Sequence, residues 1–410
     1  MTAHPADLET RLAAARITSA PPASATGLTA ETGGRVPALS VRRLRLNAFR
    51  NYAQASLDPD RRPVVLTGAN GAGKTNLLEA VSLLTPGRGL RRAKTGEIDR
   101  IASDATPTPW AVAATIDTDT GPVEIGTGRD PDGERRVVRI DGNPEKSQAV
   151  LGEYFSVVWL TPQMDRLFQD SAGERRRFLD RLIYGFDPAH AGRLTGYDKA
   201  LRQRARLLKD GSRDAAWLGA LEAQMIERGI AIAAARRVMA DRLARACARE
   251  DGPFPGAGIA VEGDVETWLG EGSALDTEDR FGAALQANRA RDAETGGAAV
   301  GPHRADLAVT HLAKGLPAGQ CSTGEQKALL IAIVLAHARL QAAERGAGPV
   351  LLLDEVAAHL DEARRDALFE TVLGLGLQAW ITGTDRATFG AFGDRAQYFE
   401  VEAAQVRPAA

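Results

Sequence analysis

A glycine-rich segment constrains the fold of this chain more than any other part of its sequence. Residues 68–75 follow the pattern G-x-x-x-x-G-K-T, which builds a phosphate cradle from backbone N–H groups and a lysine. An apolar, β-branched run precedes it at 63–67, and apolar residues at helical spacing follow it at 76–84. A strand, a glycine loop and a helix in that order direct the positive end of the helix at a phosphate chain. A flexible glycine turn is the structural alternative, but both flanks disfavour it.

The motif assigns roles to single residues of the loop. Lys74 would bridge the β- and γ-phosphates, as a catalytic and a binding group, and the Thr75 hydroxyl would hold Mg²⁺. We therefore predict an ATP site with a magnesium ion. The residues predicted to contact ATP are Gly68, Ala69, Asn70, Gly71, Ala72, Gly73, Lys74, Thr75 and Asn76.

A second apolar run, at 349–353, ends in two acids, Asp354 and Glu355. It predicts a buried parallel strand that delivers its carboxylates to the same sheet edge as the glycine loop. Asp354 would reach Mg²⁺, directly or through water, and Glu355 would orient or deprotonate the attacking water. Acids after a strand also cap helices, so the pair indicates a metal-binding and catalytic role only in combination with the glycine loop.

A third segment, Cys321-Ser322-Thr323-Gly324-Glu325-Gln326-Lys327, opens a long apolar helix about thirty positions before the acids. Ser322 and Glu325 have the spacing of a capping box, which is a purely structural explanation. Between the glycine loop and the acidic strand, however, ABC-type ATPases carry their signature segment. In that class two subunits enclose ATP, and the signature of one contacts the γ-phosphate bound by the other.

Together these segments resemble the RecF family of recombinational repair proteins, whose ATPase head is similar to that of SMC proteins. The resemblance covers roughly residues 39–402. Its segments are Asn47-Ala48-Phe49-Arg50-Asn51-Tyr52, Gly301-Pro302-His303-Arg304-Ala305-Asp306, residues 322–327, Asp354-Glu355 with Asp361, and Ile381-Thr382-Gly383-Thr384-Asp385. Ala305 departs from the family pattern, and Glu325 replaces the glutamine of transporters.

The resemblance implies further site residues. Arg50 joins the ATP-binding set, and Ser322, Gly324, Glu325, Gln326 and Lys327 form the signature presented in trans. Asp361 is the D-loop residue and Gln163 the Q-loop residue near the metal. The switch histidine of transporters is absent, which leaves Thr384 or Asp385 as candidates for sensing the γ-phosphate.

The same resemblance implies a function. It is that of an ATP-dependent DNA clamp that dimerises on ATP and hydrolyses it slowly. Such a clamp acts at single-stranded gaps and duplex junctions, cooperates with the RecR and RecO mediators, and helps to load RecA recombinase.

Domain organisation follows from the spacing of the motifs. Because the glycine loop and the acids belong to one site yet lie far apart, the nucleotide domain must be discontinuous. The predicted fold is α/β, an ABC/SMC-type P-loop ATPase head with an antiparallel β subdomain and an inserted, mainly helical second domain. The predicted parts are a poorly ordered extension with one short helix (1–38), the N-terminal head (39–170), the helical insert (171–297), the C-terminal head (298–402) and a tail (403–410).

Local basic clusters are the candidates for DNA contact, since the net charge of −2 gives no global basic field. Residues 171–213 hold an excess of six positive charges. Such faces are also ordinary solvated surface, and no base-reading motif is present, so any binding should be sequence-tolerant and salt-sensitive. The candidates are Arg88, Arg91, Arg92, Lys94, Arg175, Arg176, Arg177, Arg202, Arg204 and Arg206.

Two other classes share part of the pattern. The ATPase subunit of a membrane transporter has all three nucleotide motifs, but the long insert and Glu325 disfavour it. A small-substrate phosphotransferase or GTPase would not need Ser322 or Asp361.

The sequence also favours a cytoplasmic protein without membrane contact. It contains two cysteines, lacks an apolar run of about 20 residues and lacks the apolar centre of a signal peptide.

Overall fold

A computed structural model describes residues 39–101, 107–211 and 214–409. The predicted N-terminal extension, with its short helix, lies outside these residues. The described residues belong to one compact unit.

The antiparallel sheet contains six strands in the order β2-β1-β6-β7-β8-β9. Along β1 buried and exposed side chains alternate, as expected of a sheet with one face covered. This sheet corresponds to the antiparallel β subdomain predicted from the sequence. The strands are β1 (Ser40–Phe49), β2 (Tyr52–Leu57), β6 (Ala111–Thr118), β7 (Gly121–Arg129), β8 (Arg136–Ile140) and β9 (Asn143–Glu145), with a separate β4 (Arg100–Ile101) and β5 (Pro107–Thr108) pair before β6.

The second sheet is mainly parallel, in the order β10-β14-β15-β3-β16-β17, and only β16 and β17 pair antiparallel. Four of its strands, β3, β10, β14 and β15, are buried along their whole length, which explains their continuous apolar sequences. The strands are β3 (Val64–Thr67), β10 (Val157–Leu160), β14 (Val350–Leu353), β15 (Ala379–Gly383), β16 (Gln397–Glu402) and β17 (Gln405–Pro408). Strands from both ends of the chain thus form one sheet, as the discontinuous head required.

The parallel sheet is the middle layer of the head. Alternate side chains of its strands enter two different cores, so that Val64 and Leu352 pack with the antiparallel sheet while Val65 and Leu353 pack with helices. The head helices are α1 (Lys74–Ser82), α2 (Leu151–Tyr154), α9 (Thr323–Arg345) and α10 (Glu362–Gly374). Short 3-10 helices span Thr95–Ile98, Gln148–Val150, Pro162–Arg166, Ala318–Gln320, Val356–His359 and Arg386–Arg395. This arrangement confirms the predicted ABC/SMC-type head.

The insert between β10 and the C-terminal head is mainly helical, as predicted. Its helices are α3 (Ala172–Tyr184), α4 (Ala189–Lys209), α5 (Ala215–Ala246), α6 (Asp264–Glu271), α7 (Ala274–Ala287) and α8 (Arg289–Thr295). It has its own core, built around Tyr197, Met225 and Phe281. A small sheet of β11 (Ala257–Glu262), β12 (Asp306–His311) and β13 (Leu316–Pro317) crosses the predicted boundary at 297, so the base of the insert is continuous with the head.

A buried ion pair inside the insert and two hydrogen bonds connect the insert to the segment that follows it. Arg236 on α5 binds both oxygens of Asp180 on α3 at 2.8 Å and donates to the Pro302 carbonyl at 2.5 Å. His303, in the same segment 301–306, shares a 2.8 Å hydrogen bond with the Tyr197 hydroxyl. Burial lowers the pKa of His303 to about 4. The segment 301–306 is therefore a joint between insert and head.

Candidate nucleotide-binding site

The glycine loop runs from the end of β3 to the first turn of α1, as the motif predicted. Gly71 and Gly73 have φ angles of 81° and 121°, which residues with a Cβ rarely adopt. A Cβ on Gly73 would also lie 2.6 Å from the Tyr52 hydroxyl oxygen. Tyr52 therefore packs closely against the loop at Gly73. The backbone conformation of the loop requires glycine at 71 and 73.

Asn51, in the turn after β1, and Tyr52, at the start of β2, hold the loop in place. Asn51 donates from Nδ2 to the Ala72 carbonyl at 3.2 Å, and Tyr52 donates to the Gly73 carbonyl at 3.1 Å. Asn76, just inside α1, donates to Asn51 Oδ1 at 2.6 Å. The sequence predicts no individual role for Asn51 and Tyr52 beyond the family resemblance, because long-range contacts leave no local signal.

Arg50, predicted to contact ATP, lies against α1 in this structure. Its guanidinium binds both oxygens of the buried Glu79 at 2.6 and 2.9 Å and donates to the Glu97 carbonyl at 2.7 Å. Arg91 donates to the same carboxylate at 3.3 Å. The geometry assigns Arg50 to bracing the helix that begins with Lys74, and its contact with ATP stays a prediction.

Lys74 is 4% exposed and lies inside the loop that precedes it. Its Nζ donates to the carbonyls of Gly68 at 2.6 Å and Ala69 at 3.0 Å. Burial lowers the pKa of Lys74, and the nearby charges of Glu355 and Asp354 oppose that shift. An ammonium group without a direct carboxylate partner in the described residues is well suited to an anionic ligand.

The two halves of the site meet at the carboxyl edge of the parallel sheet. Thr75 donates from its hydroxyl to Asp354 Oδ1 at 2.9 Å, although 279 positions separate the two residues. Thr382, at the end of β15, donates to the same oxygen at 2.9 Å. Asp354 is 6% exposed, and burial raises its pKa, against the lowering effect of the two hydroxyls. The sequence predicted that Thr75 and Asp354 belong to one site, but it did not predict a role for Thr382.

These residues fit Mg²⁺ and a nucleoside triphosphate. A hydroxyl and a carboxylate within hydrogen-bonding distance supply the hard oxygen ligands that Mg²⁺ prefers. The loop offers backbone N–H groups, the N-terminus of α1 and the Lys74 ammonium to phosphates. Glu355 follows Asp354 on the same edge, with its backbone in the left-handed region at φ 53°.

Replacing Asp354 by asparagine should stabilise the nucleotide-free protein while abolishing its stabilisation by Mg²⁺ and ATP. The raised pKa means that the ionised carboxylate is disfavoured in the folded state at neutral pH, and asparagine removes that charge. We expect a gain of about 1 kcal/mol in unfolding free energy that disappears below about pH 4. Urea denaturation at pH 7 and pH 4 measures it, with the exposed Asp279→Asn as control. A loss of stability at pH 7 would contradict the assignment.

The signature segment is only partly exposed. Ser322 and Glu325 form the capping box of α9, and Lys314 pairs with Glu325 at 2.5 Å. Hydrogen bonds to Lys314 and Ser322 lower the pKa of Glu325 to about 2. Ser322 and Gly324 are exposed, whereas Gln326 and Lys327 are buried. The prediction that these last two present themselves to another subunit is therefore wrong, because Gln326 donates to the Cys321 carbonyl and Lys327 pairs with Asp165 inside their own chain.

The remaining predicted residues lie at the expected ends of elements. Gln163 is exposed in the 3-10 helix that follows β10, next to β14 in the sheet. Asp361 caps α10 by accepting from the Arg364 amide at 2.9 Å. Thr384 and Asp385 are exposed after β15, and Asp385 caps the following 3-10 helix through the Ala387 amide. Their roles toward a nucleotide stay predictions.

The basic candidates divide into buried and exposed groups. Arg204 is fully buried between Glu222 and Asp292, so the prediction that it contacts DNA is wrong. Arg175 pairs with Asp306 through both nitrogens at 2.7 Å, and Arg176 donates to the Ala305 carbonyl at 2.5 Å, so both serve the joint. The exposed candidates are Arg88, Arg91, Arg92, Lys94, Arg177, Arg202 and Arg206, of which Arg92 and Arg177 both pair with Glu174.

Two further observations concern other classes of protein. Within the residues that the structure describes, no helix is long and apolar enough to cross a membrane. Over the same residues, no group of three or more His, Cys, Asp or Glu side chains is arranged to hold a metal ion.

The fold and the site define an ABC/SMC-type ATPase head. A family model described as the RecF/RecN/SMC N terminal domain matches residues 40–402. The chain is 50% identical over 367 residues to the "DNA replication and repair protein RecF" of Rhizobium leguminosarum bv. trifolii, covering 88% of this chain and 97% of that one. The protein of the same name from Agrobacterium fabrum matches over the same shares, also at 50% identity. The chain belongs to the RecF family.

Solved structures share the fold. A structure described as the recombination mediator protein RecF with ATPrS in the RecFOR pathway has a TM-score of 0.79 at 23% identity, covering 91% of this chain and 99% of that one. The Smc head domain of Pyrococcus yayanosii has a TM-score of 0.51 at 15% identity, covering 91% of this chain and 97% of its own. The predicted RecF resemblance is confirmed, and the transporter alternative is not favoured.

Proposed function

We propose that this chain is an ATP-controlled DNA clamp of recombinational repair, whose two copies close on ATP and reopen after hydrolysis. One observation carries the proposal. Lys74, Thr75, Asp354 and Glu355 gather at one sheet edge, while Ser322 and Gly324 stand exposed at the N-terminus of α9. In the described residues no hydrogen bond joins that exposed turn to the glycine loop, so the turn is free to meet phosphate held by a second copy.

The proposed chemistry follows from these side chains. The glycine loop and Lys74 would hold the triphosphate, and Thr75, Asp354 and Gln163 would hold Mg²⁺. Mg²⁺ supplies charge neutralisation on the phosphate oxygens when it is bound. Glu355 orients or deprotonates the attacking water, with Thr384 or Asp385 close to the γ-phosphate and Asp361 near the partner. Hydrolysis is slow because the site is complete only after the second copy has arrived.

DNA is the proposed ligand of the dimer. Exposed arginines of α4, Arg202 and Arg206, and of the segment 88–94 would contact phosphates without reading bases. The relatives are named as replication and repair proteins, and the similar structure is placed in the RecFOR pathway. On that basis we propose action at single-stranded gaps and duplex junctions, with RecR and RecO as partners in loading RecA. The cytoplasmic location stays a prediction from the sequence.

Lys74→Met should abolish ATP-dependent dimerisation and ATP-stimulated retention on DNA. Methionine keeps most of the side-chain volume but removes the positive charge that Lys74 places in the loop. Sedimentation of wild type and variant with ATP, ADP or neither, with and without gapped duplex, tests this directly. The exposed Lys146→Met is the matched control and should behave as wild type.

Two outcomes would count against the clamp. A wild-type protein that stays monomeric with ATP, Mg²⁺ and DNA would remove the shared site. Unchanged DNA retention by Lys74→Met at matched salt would separate DNA binding from ATP. Copurification with membranes would instead revive the transporter class.

A further inference from the structure

A single hydroxyl connects the two acids that follow β14. Thr382 is fully buried at the end of β15. It accepts a hydrogen bond from the Glu355 backbone amide at 2.8 Å and donates one to Asp354 Oδ1 at 2.9 Å. A threonine hydroxyl has one proton to donate, so the directions of the two bonds are fixed by their partners.

The bond to Asp354 sets the orientation of its carboxylate. Oδ1 already accepts from the Thr75 hydroxyl at 2.9 Å, and the Thr382 hydroxyl is its second donor. Two donors on one oxygen fix the plane of the carboxylate. Among the described residues Oδ2 has no hydrogen-bond partner, so it is the oxygen left for a metal ion or its water.

The bond from Glu355 holds an unfavourable backbone conformation. Glu355 has φ 53° and ψ 21°, in the left-handed region that side chains with a Cβ rarely enter. Such conformations persist only where the surroundings enforce them. The amide of Glu355 points at Thr382, so the hydroxyl is one of the groups that enforce the turn and thereby direct the Glu355 side chain.

We propose that Thr382 is a positioning residue for ATP hydrolysis: its hydroxyl holds the metal-binding acid and the water-orienting acid in one fixed arrangement. This inference rests on the proposed ATPase function. Thr382 acts through Asp354 and Glu355 and does not itself touch the nucleotide. It differs in this from Thr384 and Asp385, which are exposed beyond the end of β15.

The register of the sheet explains why this position serves. Leu353 pairs with Ile381 in parallel β14 and β15, so the residues that follow each, Asp354 and Thr382, emerge side by side. At a buried strand end valine would pack as well as threonine, and only the hydroxyl distinguishes the two. The contacts with Asp354 and Glu355 therefore depend on the hydroxyl of Thr382 and not on the volume of its side chain.

The test is a set of substitutions at Thr382 with ATPase kinetics. Thr382→Val should lower kcat by about 10- to 100-fold, because small misplacements of catalytic groups have effects of that size. The KM for ATP and the affinity for a non-hydrolysable analogue should stay within about 3-fold, because the loop and Lys74 are unchanged. Thr382→Ser, which keeps the hydroxyl, should retain kcat within about 3-fold. Thr371→Val, which loses a hydroxyl bonded to the Ala367 carbonyl in α10, is the matched control.

A second comparison separates positioning from folding. If Thr382→Val does not fold, Thr382→Ala and Thr382→Ser are compared, and equal losses of kcat in these two would overturn the proposal. In a Glu355→Gln background, Thr382→Val should change single-turnover hydrolysis much less than in wild type, because both act on one group. Fully multiplicative effects would also overturn it. Wild type without any ATPase activity would instead refute the proposed function, whereas active wild type with an equally active Thr382→Val refutes only this inference.

Discussion

Glu355→Gln should bind ATP as wild type does but hydrolyse it at least 100-fold more slowly, and should accumulate as a dimer with ATP and Mg²⁺. General-base catalysis contributes about 10² to 10⁴-fold, and glutamine has nearly the shape of glutamate without its basicity. The backbone amide that donates to Thr382 is untouched by the change, so the turn after β14 should persist.

The measurement is a pair of experiments on one preparation. Steady-state phosphate release gives the loss of hydrolysis, and sedimentation with ATP and Mg²⁺ gives the dimer fraction. Glu278→Gln, an exposed change on α7, is the control and should match wild type in both. A Glu355→Gln protein that remains monomeric while it binds ATP would show that each copy closes its own pocket. That result would remove the shared site on which the clamp depends.

The two halves of the nucleotide site, the glycine loop and the strand that ends at Asp354, were predictable because each has a short, continuous sequence pattern. The sequence placed β3, the loop and α1 correctly, and it placed β14 before Asp354. Their approach also followed from a general rule, since the carboxyl ends of parallel strands meet at one edge. The observed contact of Thr75 with Asp354 at 2.9 Å agrees with it.

Thr382 was missed because its role depends on register rather than on motif. The segment 381–385 offers two threonines and an aspartate, and sequence spacing does not reveal where β15 ends. The pairing of Leu353 with Ile381 decides the matter by placing Thr382 beside Asp354. Asn51 and Tyr52 were left without a role for the same reason, since their contacts with the loop span 21 positions and two elements.

The basic residues of the insert show a different limit. Counting charges treated all arginines of α4 alike, but the helix has two faces. Tyr197, Ala200 and Arg204 are buried and follow the helical spacing i, i+3, i+7, whereas Arg202 and Arg206 lie on the solvent side. The apolar neighbours of Arg204 were a usable signal that it points inward. The ion-pair partners on α5 and α8 were not visible in the sequence.

Arg204→Met should therefore destabilise the insert rather than weaken DNA contact directly. Arg204 is 0% exposed, binds Glu222 at 2.9 Å and Asp292 at 2.8 Å, and donates to the Leu285 carbonyl at 2.7 Å. Removing one partner of a buried ion pair costs about 3 to 5 kcal/mol, because the other charge stays buried without compensation. We expect the lower end of that range, since Glu222 keeps Arg289 and Asp292 keeps the Ala299 amide.

Arg206→Met, two positions along α4, is the matched comparison because its side chain is 85% exposed and its pair with Asp210 is long, at 3.7 Å. It should change unfolding free energy by less than about 0.5 kcal/mol. If α4 contacts phosphates, Arg206→Met should reduce the salt dependence of DNA binding by about one unit of slope. Arg204→Met, measured where it is folded, should leave that slope unchanged. The opposite pattern, a lower slope with unaltered stability for Arg204→Met, would mean that its guanidinium leaves the insert core to meet DNA.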